Sequence, residues 1–456
     1  MRSERALVQG GLVVTMDENL RVVHDGAVLV EGDRIVAVDK ADRLKSEAKA
    51  DSIIDARDCF VLPGLICGHT HLYGIALRGS GMRVEPPSDF LQILQRVWWP
   101  LDERLENDAA YASALAACME MALTGTTCFA DTYSAPNGID GSLDAIARAV
   151  NEVGLRGMIS FEATERRSRE EGVRGLRENE RFLSVSPVGR VMGMVSIHAS
   201  FTVTDDLVGK GVEIAERFGC PITIHVSEGP NDVYHNIERY GMRTVERLER
   251  LGLLSPRAVL AHCVHLTSRE ISIIARTGAS VAHNPMSNML NAVGVAPVPE
   301  MLRSGVNVCL GNDGYVFDAF ENIRAAFLVH KVHRRDPTII SAREVLEMAT
   351  NRAARSYGLK DLGSLAAGKL ADVVVVRPRV MAAPYSGDPY SYVINGLRGS
   401  DVKAVMVGGE LIVREGRLLK VDQREAESRV LRSIQTLWER LGEGPHHAVE
   451  PLRGGV

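Results

Sequence analysis

The chain has 456 residues, of which 45% are hydrophobic and 24% are charged, and its formal net charge is −5. This composition is typical of a globular protein, and the charge argues against nucleic-acid or anionic-membrane partners, because both require clustered Lys and Arg. No apolar run approaches the about 18 residues of a membrane span, and MRSERALVQG lacks a signal-peptide core. The seven cysteines are scattered without a C-x-x-C pair, which is typical of reduced thiols. We therefore expect a cytoplasmic protein.

Both ends of the chain predict short strands. In residues 1–61, the segments LVVTMD, AVLVEGDRIVAVD and SIIDARDCFVLPG alternate apolar and polar positions around tight turns. The same pattern returns in residues 371–425, in ADVVVVRP and VKAVMVGGELIVREGRLLKVD. We predict one small β-sandwich built from both segments. An amphipathic helix and a tail are expected in residues 426–456.

The middle of the chain, residues 62–370, repeats a different unit about eight times. Each unit is a short apolar run with polar residues at its end, followed by a helical stretch such as DAAYASALAACMEMALTG. Strand followed by helix, about eight times, predicts an α/β fold of the (β/α)₈ barrel type. A doubly wound open sheet would show a similar rhythm, but it usually has fewer strands.

Residue types that bind metals or transfer protons fall where the predicted barrel strands end. The first strand ends in His69 and His71, whose side chains project to the same side because strand side chains alternate. The candidates at the ends of the fifth, sixth and eighth strands are His225 with Glu228, His262 and Asp313. Barrel enzymes build their sites at the C-terminal ends of their strands. The sequence therefore predicts a metal site on that rim.

Several motifs carry a resemblance to a known family. PGLICGHTHL, HVSE, AHCVHL, HNPMSNM and LGNDG resemble, in order and spacing, the motifs of the amidohydrolase superfamily. Within it, the chain is most similar to the aminohydrolase and chlorohydrolase branch, which includes guanine deaminase, the methylthioadenosine/S-adenosylhomocysteine deaminases and the triazine hydrolases. FLQILQRVWWPLDERL and GNDGYVFDAFENIRAAFLVHKVHRRDP also resemble the aminohydrolases associated with selenium metabolism. The resemblance covers nearly the whole chain and implies the same barrel and split β-sandwich.

The resemblance also implies a role for each candidate residue. The protein ligands of the ion would be His69, His71, His225 and Asp313. Glu228 would be the proton shuttle, and Asp313 would also hydrogen-bond the attacking water. His262 would hold that water or the substrate, although its ligation of the ion in some members leaves its role open. His198 and Gln92 match positions that contact substrate in nucleoside-deaminating relatives.

One divalent ion is expected at this site. Three imidazoles and one carboxylate favour zinc, with iron or manganese as alternatives. Binuclear members of the family carry a carboxylated lysine at the end of the fourth strand. The corresponding segment here is SIHAS, with His198 and no lysine, which favours a single metal.

The leading functional prediction is a hydrolase that deaminates a small amino-substituted purine, pterin, pyrimidine or triazine. One alternative is a hydrolase that displaces chloride or an alkylamine from a heteroaromatic ring. Glu228 argues against chloride, because protonating the leaving group matters for ammonia and little for chloride. A second alternative is a catalytically silent, metal-binding scaffold. The resemblance is also compatible with a homodimer.

Several other residues receive structural predictions. Trp98 and Trp99 lie in the segment after the first strand, and packing is the simpler role for both. His330 and His333 have H-x-x-H spacing, but they fall in a charged helical segment beyond the eighth strand. The run RRSREEGVRGLRENER, residues 166–181, predicts a solvated helical face.

Overall fold

The computed structural model describes residues 4–47, 49–80, 82, 84–185, 189–380 and 387–442. The strands are β1 (Arg5–Val14), β2 (Val22–Glu31), β3 (Arg34–Lys40), β4 (Ser52–Asp55), β5 (Phe60–Pro63), β6 (Leu65–Thr70), β7 (Thr126–Tyr133), β8 (Arg156–Ala163), β9 (Val191–Gly193), β10 (Val195–Ala199), β11 (Ile222–Val226), β12 (Ala258–His262), β13 (Ser280–His283), β14 (Asn307–Leu310), β15 (Val373–Val376), β16 (Val402–Val407), β17 (Glu410–Arg414) and β18 (Arg417–Leu418).

The helices lie between these strands and after the last of them. They are α1 (Ala41–Glu47), α2 (Phe90–Ile93), α3 (Trp99–Asp102), α4 (Asn107–Leu123), α5 (Ser142–Val153), α6 (Arg169–Ser184), α7 (Asp205–Phe218), α8 (Pro230–Tyr240), α9 (Thr244–Arg250), α10 (Ser268–Thr277), α11 (Pro285–Leu290), α12 (Val298–Arg303), α13 (Ala319–Arg334), α14 (Ala342–Met348), α15 (Asn351–Ser356), α16 (Pro389–Gly396) and α17 (Gln423–Gly442). Short 3₁₀ segments cover Leu72–Leu77, Ser200–Thr202 and Gly399–Asp401.

Both ends of the chain build one mixed sheet. Its strand order is β18-β17-β16-β15-β5-β1-β2-β3, and β4 pairs with β1. Strand β5 joins the two ends because it pairs parallel with β1 and antiparallel with β15. An apolar core that includes Val28, Val61 and Val373 packs within this unit. The prediction that both chain ends share one β unit is confirmed, and β5 extends it two residues beyond the expected boundary at position 61.

The middle of the chain forms the predicted barrel. Eight parallel strands follow the order β14-β13-β12-β11-β10-β8-β7-β6, with the short β9 paired to β8. Strands β14 and β6 close the circle through a parallel bridge between Thr70 and Asp313. The backbone N–H groups of Asn312 and Asp313 both donate to the carbonyl of His69, at 3.0 and 3.2 Å. Barrel closure therefore brings the first and eighth strand ends together.

The N-terminal half of the barrel interior is filled with side chains. Ile66, Met158 and Val259 contribute to a buried apolar layer, which is completed by Ala353 in helix α15 and by Tyr357 directly after it. The Tyr357 hydroxyl donates to the carbonyl of Gly68 at 2.5 Å. Since this end is plugged, a ligand can reach the interior only from the C-terminal ends of the strands.

Two helical segments cover the barrel near that opening. Between β6 and β7, helices α2 and α3 are joined by a π-type turn, Leu94–Trp98, of a kind that is frequent at functional sites. Helix α17 packs against α4 and anchors Trp438, whose indole N–H donates to the carbonyl of Ala76 at 2.7 Å. Residues 443–456 of the predicted C-terminal tail lie outside the described residues. All seven cysteines are buried free thiols, as expected. Among the helices described, none combines the length and apolarity needed to cross a membrane.

Candidate metal centre and active site

Four side chains from three separate parts of the barrel meet at one point. The ligand atoms of His69, His71, His225 and Asp313 all lie within 4.8 Å of one another, and all four residues are buried. Nε2 of His71 lies 3.2 Å from Nε2 of His225 and 3.1 Å from Oδ1 of Asp313. Ligands about 2.0–2.1 Å from a tetrahedral ion lie about 3.3–3.4 Å apart. The spacing therefore fits one small divalent cation.

The hydrogen bonds around this cluster orient the imidazole rings toward its centre. Nδ1 of His71 donates to the carbonyl of Thr132 at 2.8 Å, and Nδ1 of His225 donates to the carbonyl of His198 at 2.6 Å. Each bond leaves Nε2 free to act as a ligand, which is the usual outer support of a metal-binding histidine. Both ring nitrogens of His69 are buried without a hydrogen-bond partner. An ion would satisfy one of them.

The charges in the cluster also favour a cation. Burial lowers the pKa of His71, but the carboxylates of Glu162 and Asp313 outweigh it and raise this pKa to about 10. Burial alone would raise the pKa of Asp313, but the neighbouring imidazoles of His69 and His71 hold it well below its usual range. The space among these groups therefore stabilises positive charge, whether it is carried by a proton or by a metal ion.

The backbone is strained where the site residues leave their strands. Ser227, His262, Cys263 and Asp313 have positive φ angles of 48°, 69°, 52° and 57°. Non-glycine residues in this region cost about 1–3 kcal/mol each and occur preferentially at functional sites. The surrounding structure thus holds these side chains in positions that an unstrained chain would not choose.

A second group of reactive side chains borders the same point. Glu228, His262 and Asp313 also place one ligand atom each within 4.8 Å of the others. Nε2 of His262 lies 3.5 Å from Oε2 of Glu228, while its Nδ1 donates to the side-chain oxygen of Asn288 at 2.9 Å. Burial, reinforced by the Asp313 carboxylate, raises the pKa of Glu228 well above its usual range, against the opposing charge of His71. Such a carboxyl group can hold a proton at neutral pH and give it up again.

The cluster lines a cavity that is open to solvent on one side. Its apolar walls come largely from the α2–α3 segment and from the turn after β10: Phe90, Leu94, Trp98, Trp99 and Phe201. Flat aromatic walls around a few polar groups are typical of a site for a small planar ligand. Trp98 and Trp99, for which packing was the simpler prediction, both line this cavity.

The whole chain was compared with known proteins. The model of the amidohydrolase family matches residues 60–412. The chain belongs to this family.

Three relatives illustrate the range of this amidohydrolase's neighbours. A 5'-deoxyadenosine deaminase from Methanopyrus kandleri is 35% identical over 429 residues, which cover 92% of this chain and 96% of the relative. A crystal structure of an adenosine deaminase from Xanthomonas campestris with bound zinc has a TM-score of 0.85 at 25% identity, covering 95% of this chain and 98% of that one. An atrazine chlorohydrolase from Arthrobacter aurescens TC1 complexed with zinc has a TM-score of 0.82 at 25% identity, covering 94% and 100%. The resemblance to the aminohydrolase and chlorohydrolase branch is confirmed.

One wall of the amidohydrolase cavity is polar. His198 was predicted to contact substrate, and it does line the cavity, as does Glu162. The hydroxyl of Thr202 donates to the carbonyl of Ala199 at 3.0 Å, so Nδ1 of His198 donates to Thr202 at 2.8 Å and Nε2 remains an acceptor. Oε1 of Glu162 is buried without a hydrogen-bond partner. This wall therefore presents mainly acceptors to a ligand.

A buried ion pair supports the same wall. Nη2 of Arg166 donates to Oδ2 of Asp102 at 2.8 Å, and the hydroxyl of Ser134 donates to the same oxygen at 3.1 Å. The Arg166 guanidinium also lies over the ring of Trp99, at 5.2 Å from its centroid. Arg166 begins the run for which a solvated face was predicted, and this prediction was wrong in part. Four polar side chains of the run are buried instead of solvated: those of Arg166, Glu171, Glu178 and Asn179.

Two further candidates lie away from the metal cluster. Gln92 does not line the cavity in the described structure; its side-chain oxygen accepts a hydrogen bond from the backbone N–H of Ser88 at 2.9 Å. His330 is buried on helix α13, where its Nε2 lies 3.2 Å from Nε2 of His283. This pair is separate from the four clustered ligand atoms. No sequence pattern could have revealed this pair, because His283 ends a strand and His330 lies on a helix 47 residues later.

Proposed function

We propose that this amidohydrolase is a zinc-dependent hydrolytic deaminase of a small amino-substituted nitrogen heterocycle, releasing ammonia. His69, His71, His225 and Asp313 hold the ion in this proposal. The observation that carries it is the position of Glu228, a buried carboxyl group at the edge of the ligand cluster and inside an aromatic cavity. Deamination requires such a group, because ammonia leaves only after its nitrogen has been protonated.

The chain's own residues would divide the work as follows. A bound zinc ion would supply a Lewis acid that lowers the pKa of water from about 15.7 to about 7. Glu228 would accept one proton from the attacking water and deliver it to the ring nitrogen. It would then pass the second proton of that water to the amine, so that the carbon–nitrogen bond breaks and ammonia leaves while the new carbon–oxygen bond stays. His262 and Asp313 would hold the attacking water beside Glu228. The cavity walls keep the ring flat against the site and exclude bulk water.

The two sides of the cavity favour one orientation of the substrate. With the edge that carries the amino group toward Glu228, we expect the far edge to meet Nε2 of His198 or the carboxylate of Glu162, which also line the cavity. Both of these groups accept hydrogen bonds. Substrates with N–H or O–H donors on the far edge are therefore favoured over rings that present only acceptors there. The names of the relatives make adenosine-type substrates the first to test.

The test is ammonia release by zinc-loaded enzyme over a panel of aminoheterocycles that includes adenosine, 5'-deoxyadenosine, guanine, aminopterins, cytosine and aminotriazines. We expect at least one compound to release ammonia, and Glu228→Gln to lower kcat on it by about 10²–10⁴-fold, the usual contribution of general acid–base catalysis. Zinc content should stay near one ion per chain. The matched control is Glu165→Gln, whose carboxylate binds the backbone N–H and hydroxyl of Thr204 away from the cluster. Full activity in Glu228→Gln would remove this residue from the mechanism.

Displacement of chloride is the second candidate, because an atrazine chlorohydrolase shares the fold at 25% identity. The same panel separates the two reactions when it includes atrazine and chloride is measured beside ammonia. Chloride release without any ammonia release would replace the proposed reaction with the hydrolysis of a carbon–chlorine bond.

A further inference from the structure

A chain of hydrogen bonds connects the aromatic wall of the cavity to the proposed metal ligand Asp313. The indole N–H of Trp98 donates to the hydroxyl of Tyr315 at 2.8 Å, and this hydroxyl donates to Oδ1 of Asn291 at 3.0 Å. Nδ2 of Asn291 donates to the hydroxyl of Ser287 at 3.2 Å, and Ser287 donates to Oδ2 of Asp313. Four hydrogen bonds thus join residues from three separate segments of the chain.

The chemistry of its two ends gives this chain one direction. An indole N–H can only donate, and an ionised carboxylate can only accept. Each hydroxyl between them has a single hydrogen, so Tyr315 must accept from Trp98 and donate to Asn291, and Ser287 must accept from Asn291 and donate to Asp313. Bonds aligned in one direction polarise and strengthen one another. The alignment also assigns the amide orientation of Asn291, with its oxygen toward Tyr315.

The last bond determines which oxygen of Asp313 remains free. Ser287 occupies Oδ2, while Oδ1 lies 3.1 Å from Nε2 of His71 and 3.7 Å from Nε2 of His69. Ser287 is fully buried, and Asn291 and Asp313 are also buried, so water does not compete for these bonds. Without Ser287, the carboxylate could rotate and offer either oxygen to the ion.

The first bond starts on a surface that a substrate would touch. Trp98 lines the cavity, and its ring packs in an edge-to-face arrangement against Tyr315, with centroids 5.3 Å apart. It also covers the backbone of Gly314, where a Cβ atom would lie 2.4 Å from the indole ring. A planar ligand that presses on Trp98 therefore acts on the segment that carries Asp313.

We infer that Ser287, Asn291 and Tyr315 are positioning residues that couple Trp98 in the cavity wall to the orientation of the Asp313 carboxylate. Asn291 also lines the cavity, as does Glu228. Through this residue, the network borders the same cavity as the proposed proton shuttle. The prediction for metal binding stands on the geometry alone, whereas the prediction for turnover rests on the proposed function.

Release of Zn²⁺ to a chelator tests the inference without any substrate, and the visible spectrum of the Co²⁺-loaded protein reports ligand geometry. Ser287→Ala should release zinc about 10–100-fold faster, as is typical when an outer support of a metal ligand is lost. Tyr315→Phe keeps the ring and removes one hydrogen bond, so it should accelerate release about fivefold and shift the Co²⁺ spectrum in the same direction. Trp438→Phe, which removes an aromatic hydrogen-bond donor outside the cavity, should match the wild type.

The decisive comparison is the double variant S287A/Y315F. Once Ser287 is gone, the relay is broken, so Tyr315→Phe should add nothing to the release rate of Ser287→Ala. If the double variant released zinc at a rate raised by the product of the two single effects, the two residues would act independently, and the inference would be overturned. A wild-type release rate and Co²⁺ spectrum in Tyr315→Phe would also overturn it. With a substrate in hand, Tyr315→Phe should lower kcat and leave KM nearly unchanged. Loss of activity with unaltered metal release would instead assign Tyr315 to substrate binding.

Discussion

Two glycines bring the loops after the first and eighth barrel strands into backbone contact beside the metal cluster. Gly74 follows His71 by three residues, and its N–H donates to the carbonyl of His71 at 2.9 Å. Gly314 follows Asp313 directly. A Cβ atom on Gly74 would lie 2.3 Å from the carbonyl oxygen of Gly314 and 2.6 Å from its Cα. Both of these atoms are backbone atoms, so no side-chain rotation can relieve the clash.

The size of the clash predicts the effect of Gly74→Ala. Ordinary van der Waals contact begins at 3.4 Å, so one of the two loops must move by about 1 Å (3.4 minus 2.3). Overpacking of this kind costs about 1–3 kcal/mol. Metal–ligand distances tolerate only about 0.2 Å, so the cost falls on the ion's binding. At about 1.4 kcal/mol per tenfold, we expect zinc affinity to fall by about 5- to 150-fold.

Competition with a chromophoric zinc chelator would measure this change, and thermal unfolding of the metal-free protein would show whether the fold itself is affected. Gly209→Ala is the matched control, because nothing lies within 4 Å of its Cβ position on helix α7. Alanine in a helix should stabilise the control by up to about 1 kcal/mol and leave zinc affinity unchanged. Wild-type zinc affinity in Gly74→Ala would show that the two loops are free to separate and do not position Asp313.

Two further predictions concern stability. Burial lowers the pKa of His330 to about 4, so the folded state keeps this imidazole neutral at neutral pH. The unfolded chain takes up the proton near the ordinary pKa of 6.5. The contribution of His330 to stability is therefore complete above pH 6.5 and is lost as the pH falls from 6.5 toward 4. The loss amounts to about 3 kcal/mol at most. The free energy of unfolding in urea, measured at pH 7.5 and 5, should fall with pH in the wild type and fall less in His330→Gln. An equal fall in both proteins would contradict the prediction. Arg247 is fully buried and donates to the carbonyls of Ser200 and Val203 at 2.6 and 3.0 Å, so Arg247→Leu should lower the free energy of unfolding by about 3–5 kcal/mol, with a smaller loss in Arg247→Lys. One net hydrogen bond contributes about 1 kcal/mol. A loss in the free energy of unfolding below about 1 kcal/mol, measured by urea unfolding, would therefore mean that these carbonyls find other donors.

The barrel and the positions of the candidate ligands follow from local patterns. His69 and His71 are two residues apart on a strand, and this spacing directs both side chains to one side. His225 and Asp313 stand at or just after the ends of parallel strands, and all such ends lie on one rim of a closed barrel. Distant residues could therefore be placed near one another from the rhythm of strands and helices, without knowledge of a single loop.

The groups that line the cavity depend on contacts that have no periodic signal. Arg166 reads as one charge in a charged run, and only the fold shows that Asp102, 64 residues earlier, lies beside it. Gln92 has the residue type and position of a substrate contact, but helix α2 directs its side chain to the backbone of Ser88. In both cases the side chain's partner depends on how a loop packs across the rim, and the hydrophobic pattern of a sequence does not encode such packing.

The residues that could be predicted from the sequence hold the metal ion in the proposed enzyme, whereas those that could not be predicted lie where a substrate would make contact. Groups on strand ends are held by the barrel's hydrogen-bonding ladder, so they are suited to tasks that tolerate little movement, such as holding an ion. Trp98, Tyr315 and Asn291 lie on loops and short helices, which can shift when a ligand enters. If the Trp98–Asp313 relay operates as inferred, substrate contact with Trp98 on these loops and short helices would adjust the metal ligand Asp313 on the barrel rim. Substrate preference could then change through the loops only within limits, because any replacement of Trp98 would also alter how Asp313 holds the metal.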